Sequence, residues 1–357
     1  MTTALGYSAN DSLAAARAGL SRAAALPIHN FGGDKRWGDA PLVGHAVSGL
    51  SGGHVGIGKI LALGREALKD LLRSRPISEA DWKRTGLYLN LSDHFLLDAH
   101  AAVPDGWDHY GLSERPSVVW RRDCASLNAK LFVRARGGPV PENQRLYFGG
   151  HTGIAQAVAD AARALHSGAL DRCIVGGVDS CIELHLLESA AKAGMLKTAA
   201  FPVGFLPGEG ACFILLEKTE KLSGARRPSI SAVPTLVRDP LNRFSESPPN
   251  GRALAQAVEG ALQSSAQKLG LVIGDLNGDP YRANDWGYSV VRLHEKFGIG
   301  DIPMWRVATS FGEVGAATGV VAIAMAARAM ERGYAPEGSA LVWLASDSGE
   351  RAALSVH

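Results

Sequence analysis

The sequence predicts a layered α/β fold made of two similar halves, and three observations carry that prediction. Short apolar runs alternate with helix-patterned segments along the chain, the signature of mostly parallel sheets covered by helices. At one junction, Arg145-Leu-Tyr-Phe-Gly-Gly-His-Thr-Gly-Ile154, an apolar run passes through paired glycines into an Ala-rich helix pattern at 155–167. Glycines there permit a tight turn that lifts the next side chain, His151, clear of the sheet. The same construction then recurs: Trp305-Arg-Val-Ala-Thr-Ser-Phe-Gly-Glu313 leads into a second small-residue helix at 314–330. The helices end alike, Ala161-Ala-Arg-Ala-Leu-His-Ser-Gly168 against Ala326-Ala-Arg-Ala-Met-Glu-Arg-Gly333. Each is followed by an apolar strand closing on Asp-Ser, Cys173–Ser180 and Leu341–Ser348. This repeated order reads as an internal duplication, with halves at 1–220 and 221–357.

Composition narrows the class. A chain of 357 residues, 46% hydrophobic and with a net charge of +2, can bury a large core and offers neither a disordered nor a nucleic-acid-binding profile. No apolar run reaches the roughly 18 residues of a membrane helix, and Met1-Thr-Thr-Ala lacks the charged start of a secretory signal. Cys124, Cys173, Cys181 and Cys212 show no C-x-x-C spacing, and the last three sit in strand-like runs. They read as buried thiols of a reducing compartment, so a cytoplasmic protein is expected.

Taken in order, Asn10-Asp11-Ser12 reads as a cap for a helix over Leu13–Ala24. Residues 31–58 read as a long surface connection, 60–72 as a helix and Thr85–Leu91 as a buried strand. His94 and His100 lack a third ligand at metal spacing and read as loop histidines, so no metal site is expected. Residues 104–122 read as irregular, and 124–136 as a helix stopped at Gly137-Gly-Pro139. Beyond the elbow come a strand at Cys173, a helix over 183–193 and a strand entered through Gly208-Glu209-Gly210. Residues 234–252 resemble a connector, 253–269 a helix, 272–278 a strand ending in a polar loop, and 288–297 a helix. Gly149-Gly-His-Thr-Gly153 lacks the lysine of a phosphate loop, so no nucleotide or other cofactor is expected.

The motif order resembles the thiolase superfamily, specifically the β-ketoacyl-acyl-carrier-protein synthases. Gly176-Gly-Val-Asp-Ser180 and Gly204-Phe-Leu-Pro-Gly-Glu-Gly-Ala211 match that family's signatures, and Thr3-Ala-Leu-Gly6 resembles the loop after its first strand, most of which would lie upstream of Met1. The resemblance covers nearly the whole chain. It implies a thiolase-like five-layered αβαβα fold, a homodimer, and an acyl carrier protein or acyl-coenzyme A as partner.

The family's chemistry uses an elbow Cys that takes the acyl group, and two residues, His/His or His/Asn, that stabilise the enolate left by decarboxylation. Matched by motif, those three catalytic positions fall on His151, Asn277 and Glu313, all substituted, and the glycine-rich gate near the C-terminus becomes Asp347-Ser-Gly-Glu350. A helix dipole disfavours an imidazolium at its N-terminus, so a neutral, weakly nucleophilic His151 is expected. Either His151 pairs with Glu313 as a base with its orienting carboxylate, or it fills the old cysteine pocket as a hydrogen-bonded side chain. Asn277 reads as a turn residue or as an amide donor. Glu209 is expected to be a buried carboxylate held by backbone N–H groups, Cys124 to be inert, and Arg306 to be a solvated or interfacial charge.

Three functions follow. The first is a non-condensing protein that binds an acyl thioester or a partner. The second is an active acyltransferase or thioester-cleaving enzyme using His151, Asn277 and Glu313. The third is an accessory protein, because degenerate thiolase-like proteins with an Asp-Leu-Asn-Gly element, here Asp275–Gly278, resemble ones beside type VI secretion effector genes.

Overall fold

A computed structural model describes residues 1–28, 40–101, 114–137, 140–219, 227–230, 234–265, 267–336 and 338–357. Helix α1 covers Ala9–Arg17. Ser8 is its cap: Ser8 Oγ accepts from the Asp11 N–H at 3.1 Å and donates to the Asp11 carboxylate at 2.7 Å. The expected helix over Leu13–Ala24 therefore starts and stops too late, because Gly19 at φ 73° ends it and Ala24–Ala25 form strand β1. That strand pairs with β2, Val43–Gly44, ahead of the one-turn α2 at Ser48–Ser51. Both lie within the expected surface connection, whose portion at 29–39 is outside the described residues.

Helix α3, Ile57–Ser74, buries Ile60, Leu61, Leu63, Ala67 and Leu68 on one face. Strand β3 is Thr85–Asn90 and α4 is Phe95–Ala101. The expected irregular stretch before Arg122 ends instead in α5, Pro116–Asp123, which proline at the first helical position starts. Its portion at 104–113, and Gly138-Pro139 of the expected stop, lie outside the described residues. Helix α6 is Leu127–Ala135. Strand β4, Gln144–Tyr147, leads through the elbow to α7, Gly153–His166; β5, Arg172–Ser180, α8, Leu184–Lys192, and β6, Glu209–Glu217, follow.

The expected connector at 234–252 contains a strand, β7, Thr235–Arg238, recruited because its ladder partner at the C-terminus has an open edge. Helix α9, Arg252–Gln263, ends before Leu269, which opens strand β8, Leu269–Gly274. Helix α10 starts at Pro280, earlier than expected, and runs to Phe297, because Asp279 caps it and Pro280 supplies a preset φ. Strand β9 is Met304–Arg306, α11 Val307–Phe311, α12 Thr318–Glu331, β10 Ser339–Ala345 and β11 Glu350–Val356.

These strands make two large sheets in the orders β4-β3-β5-β6 and β9-β8-β10-β11-β7. Each has two parallel ladders followed by an antiparallel one, so both sheets share one topology. Beside β6, at the place β7 takes beside β11, Thr2 makes a single antiparallel bridge to Ala211. Helices α7 and α12 lie between the sheets, in a core containing Ile154, Val158, Val320 and Ile323 with Val175, Ile273 and Val342. Helices α3 and α6 cover the outer face of the first sheet, while α9 and α10 cover that of the second. The result is five layers, α/β/α/β/α. Among the described residues no helix is long and apolar enough to cross a membrane.

The glycine motif has a packing reason. A Cβ on Gly177 would lie 2.4 Å from the carbonyl oxygen of Ala316, so only glycine lets the second elbow close on β5. Asp179, two residues on, accepts from the Ala316 N–H at 2.8 Å, and burial pushes its carboxyl up to about 6. Asn90 donates to the carbonyls of both Gly150 (2.7 Å) and Ala316 (3.0 Å), fastening the two elbows together.

Candidate functional site

The elbow works as its sequence predicts. Gly150 takes φ 52° and His151 follows it in ordinary backbone, at the turn before α7. The ring points between the sheets. Its Nδ1 lies 2.9 Å from Oδ1 of Asp275 and its Nε2 3.0 Å from Oε1 of Glu313. Asp275 follows β8, and its other oxygen accepts from the Ala345 N–H at 3.0 Å. Glu313 sits in the second elbow, where Oε1 also accepts from the Gly315 N–H at 2.8 Å. Asn277 donates through Nδ2 to Oε2 of Glu313 at 2.5 Å, while its own oxygen accepts from the Asp279 N–H at 3.0 Å. It is a turn residue and an amide donor at once, with a carboxylate as the acceptor. His151, Asn277 and Glu313, far apart in sequence, thus form one cluster.

Arg282 completes it. This residue is 2% exposed and lies in the first turn of α10. Its Nη1 is 3.0 Å from Oδ1 of Asp275 and 3.4 Å from Oε2 of Glu313, and its Nη2 is 3.5 Å from Asp347. Asp347 in turn accepts from Nε of Arg243 at 3.0 Å, and Arg243 also pairs with Asp279, the α10 cap. Buried charge survives only when paired and hydrogen-bonded. Here carboxylates and cations alternate through the interior.

These neighbours set the protonation states. Burial and the Arg282 charge both oppose a proton on His151, yet Asp275 and Glu313 outweigh them and hold the imidazole up to about 10. Burial pushes the Glu313 carboxyl upward, but the His151 and Arg282 charges outweigh it and hold it well below the usual carboxylate range. That direction is opposite to the neutral imidazole expected from the helix terminus alone. Two carboxylates at hydrogen-bond distance act more strongly than one helix terminus. Nη1 of Arg282 also stands 3.1 Å from Nδ1, so a carboxylate and a cation both face that nitrogen.

The other candidates fall elsewhere. Glu209 is buried as expected, but side chains hold it more than backbone: Oε1 accepts from the Val47 N–H and from Ser51, Oε2 from Ser180, and Lys59 stands 3.5 Å away. All four cysteines are buried and unpaired by disulfides, and burial pushes the Cys124 thiol up to about 12. His94 stacks on Trp120 with ring centroids 4.6 Å apart, and burial pulls it down to about 4. His100 lies on α4 rather than in a loop, 3.1 Å from Nζ of Lys192. Arg306 is exposed at the end of β9. Sequence reading passed over Arg282, Arg243 and the role of Asp275. The usable signal was Asp279-Pro280, a cap followed by a first-turn proline, which places Arg282 on a helix beside the site.

The five-layered fold is that of solved ketosynthase structures, and one stretch of the chain matches a family model. Residues 152–221 match the family model described as Beta-ketoacyl synthase, N-terminal domain. Among solved structures, a chain of a type II polyketide synthase acyl-carrier protein in complex with its ketosynthase, bound to the hexaketide, superposes with TM-score 0.74 at 14% identity, over 99% of this chain and 96% of that one. The ishigamide ketosynthase/chain length factor gives TM-score 0.72 at 16% identity, over 99% and 96%. An oxazolomycin ketosynthase domain from Streptomyces albus JA3453 gives 0.63 at 16% identity, over 84% and 59%. No curated protein matches the sequence.

Proposed function

We propose that this protein is a non-condensing member of the ketosynthase fold, which binds an acyl thioester or its carrier without joining carbon to carbon. One observation carries the reading: each ring nitrogen of His151 lies at hydrogen-bond distance from a carboxylate, Nδ1 from Asp275 and Nε2 from Glu313. In the resemblance these positions belong to the nucleophile and to the second enolate-stabilising residue. Here they form an ion pair that consumes the groups a condensation needs. The third position, Asn277, spends its amide on Glu313. On this reading the ancestral catalytic pocket has become a structural tie between the elbows.

The partner we infer is an acyl carrier protein or acyl-coenzyme A. The solved complex of a ketosynthase with its acyl-carrier protein supports that choice by analogy of fold. We further read the chain as two halves, 1–220 and 221–357, dividing at 220–226, a segment outside the described residues, and working in the cytoplasm as a dimer through the open edge of β4. The decisive experiment is intact mass spectrometry after incubation with an acyl-carrier-protein thioester and with acyl-coenzyme A, with thioester hydrolysis followed in parallel. Wild type and His151→Ala are expected to show neither adduct nor turnover, while the wild type retains measurable binding to the carrier. Acylation or hydrolysis that disappears in His151→Ala would overturn the proposal and make His151 catalytic.

A further inference from the structure

A second cavity, sharing no residue with the His151 network, lies between α1 and the segment running from β9 into α11. Its volume is about 310 Å³, at the lower end for small-molecule sites. Trp305 and Tyr334 form part of its wall, with ring centroids 6.2 Å apart and planes inclined by 30°. Met304 and Met325 also line it, and thioether sulfurs pack well against aromatic rings. Two arginines, Arg17 and Arg306, line the same cavity, and no acidic side chain does.

Arg17 stacks over the Tyr334 ring at 3.6 Å from its centroid, and among the described residues neither it nor Arg306 makes a salt bridge. Two cations bordering one apolar cavity repel each other, and an entering anion would relieve that repulsion while its apolar body displaces water from the aromatic wall. A guanidinium presents a planar fork that fits a carboxylate.

We propose that this cavity binds a small aromatic acid, its ring against Trp305 and the two methionines and its carboxylate held by Arg17 and Arg306. The cavity's modest size suits one ring or two fused rings and excludes a long acyl chain. Isothermal titration calorimetry on the full chain with phenylacetate, indole-3-acetate and the uncharged phenylacetamide tests it. Both acids are expected to bind wild type with the amide at least tenfold weaker. The double variant Arg17→Gln/Arg306→Gln, which changes only exposed side chains, is expected to lose at least tenfold in affinity for the acids. Ala16→Phe, which fills the cavity without touching charge, is expected to abolish binding of all three. Failure of wild type to bind either acid overturns the proposal, as does equal binding of the amide or unchanged affinity in the double variant.

Discussion

Nε2 of His151 stands 3.0 Å from Oε1 of Glu313, so the turn that opens α7 is ion-paired to the loop that precedes α12. The two elbows come from different sheets, and each sends one polar side chain inward to meet the other. Two carboxylates and the Arg282 guanidinium surround the ring there. The contact between His151 and Glu313 links the two elbows.

Stability should depend on pH in a specific direction. The His151 imidazole titrates near 6.5 when unfolded and is held up to about 10 in the fold. A folded pKa raised in this way contributes stability that is complete below about 6.5 and is lost as the pH climbs to about 10. Urea midpoints measured from pH 6 to 10.5 should therefore fall across that window, and fall less in His151→Gln. Identical slopes in the two proteins would mean that His151 is not held as a cation.

Removing Arg282 should cost far more than removing a surface charge. Arg282→Met leaves Asp275 and Glu313 buried against one remaining cation, and breaking a buried pair costs roughly 3–5 kcal/mol. Arg282→Lys should recover only part of this, because an ammonium cannot span Asp275, Glu313 and Asp347 together. Chemical denaturation gives both values. A loss under about 1 kcal/mol for Arg282→Met would show that the network is not what holds the interior.

Two glycine substitutions should act in opposite directions. In Gly177→Ala the new Cβ meets the carbonyl oxygen of Ala316 at 2.4 Å and the Cα of Ala317 at 3.1 Å, both backbone, so destabilisation of about 1–3 kcal/mol is expected. Gly287, within α10, has nothing within 4 Å of an added Cβ, and Gly287→Ala should stabilise by about 0.4–1 kcal/mol. Thermal unfolding of the two variants beside wild type provides the comparison. Equal effects would remove the packing account of the Gly-Gly motif.

The dimer proposed through β4 has its own test. The carbonyls of Asn143 and Tyr147 accept from β3, so Gln144 and Leu146 direct their backbone groups to the open edge. Leu146→Pro removes an outward N–H without breaking a ladder bond inside the subunit. Sedimentation velocity should show a dimer for wild type and a monomer for the variant, with native circular dichroism in both. A monomeric wild type would refute the edge-strand dimer.

Much of this molecule is written locally. Strand periodicity, the Gly149-Gly150 turn and the Ala-rich helices at 153–166 and 318–331 depend on neighbours in sequence, so the layered α/β fold and the position of His151 could be read directly. The boundaries that went wrong share one cause. Strand β7 exists only because β11 offers an edge, and Leu269 leaves the helix pattern only because β10 accepts it as a ladder partner.

By itself, then, the sequence determined most of the elements and the repeated elbow construction, and its resemblance to a family pointed to three side chains that converge. Only the tertiary structure decided their charge. Asp275, Glu313 and Arg282 reach His151 from three separate segments, and the sum of their fields within a buried site sets its proton. That sum depends on distance and on the exclusion of water, which no local pattern encodes.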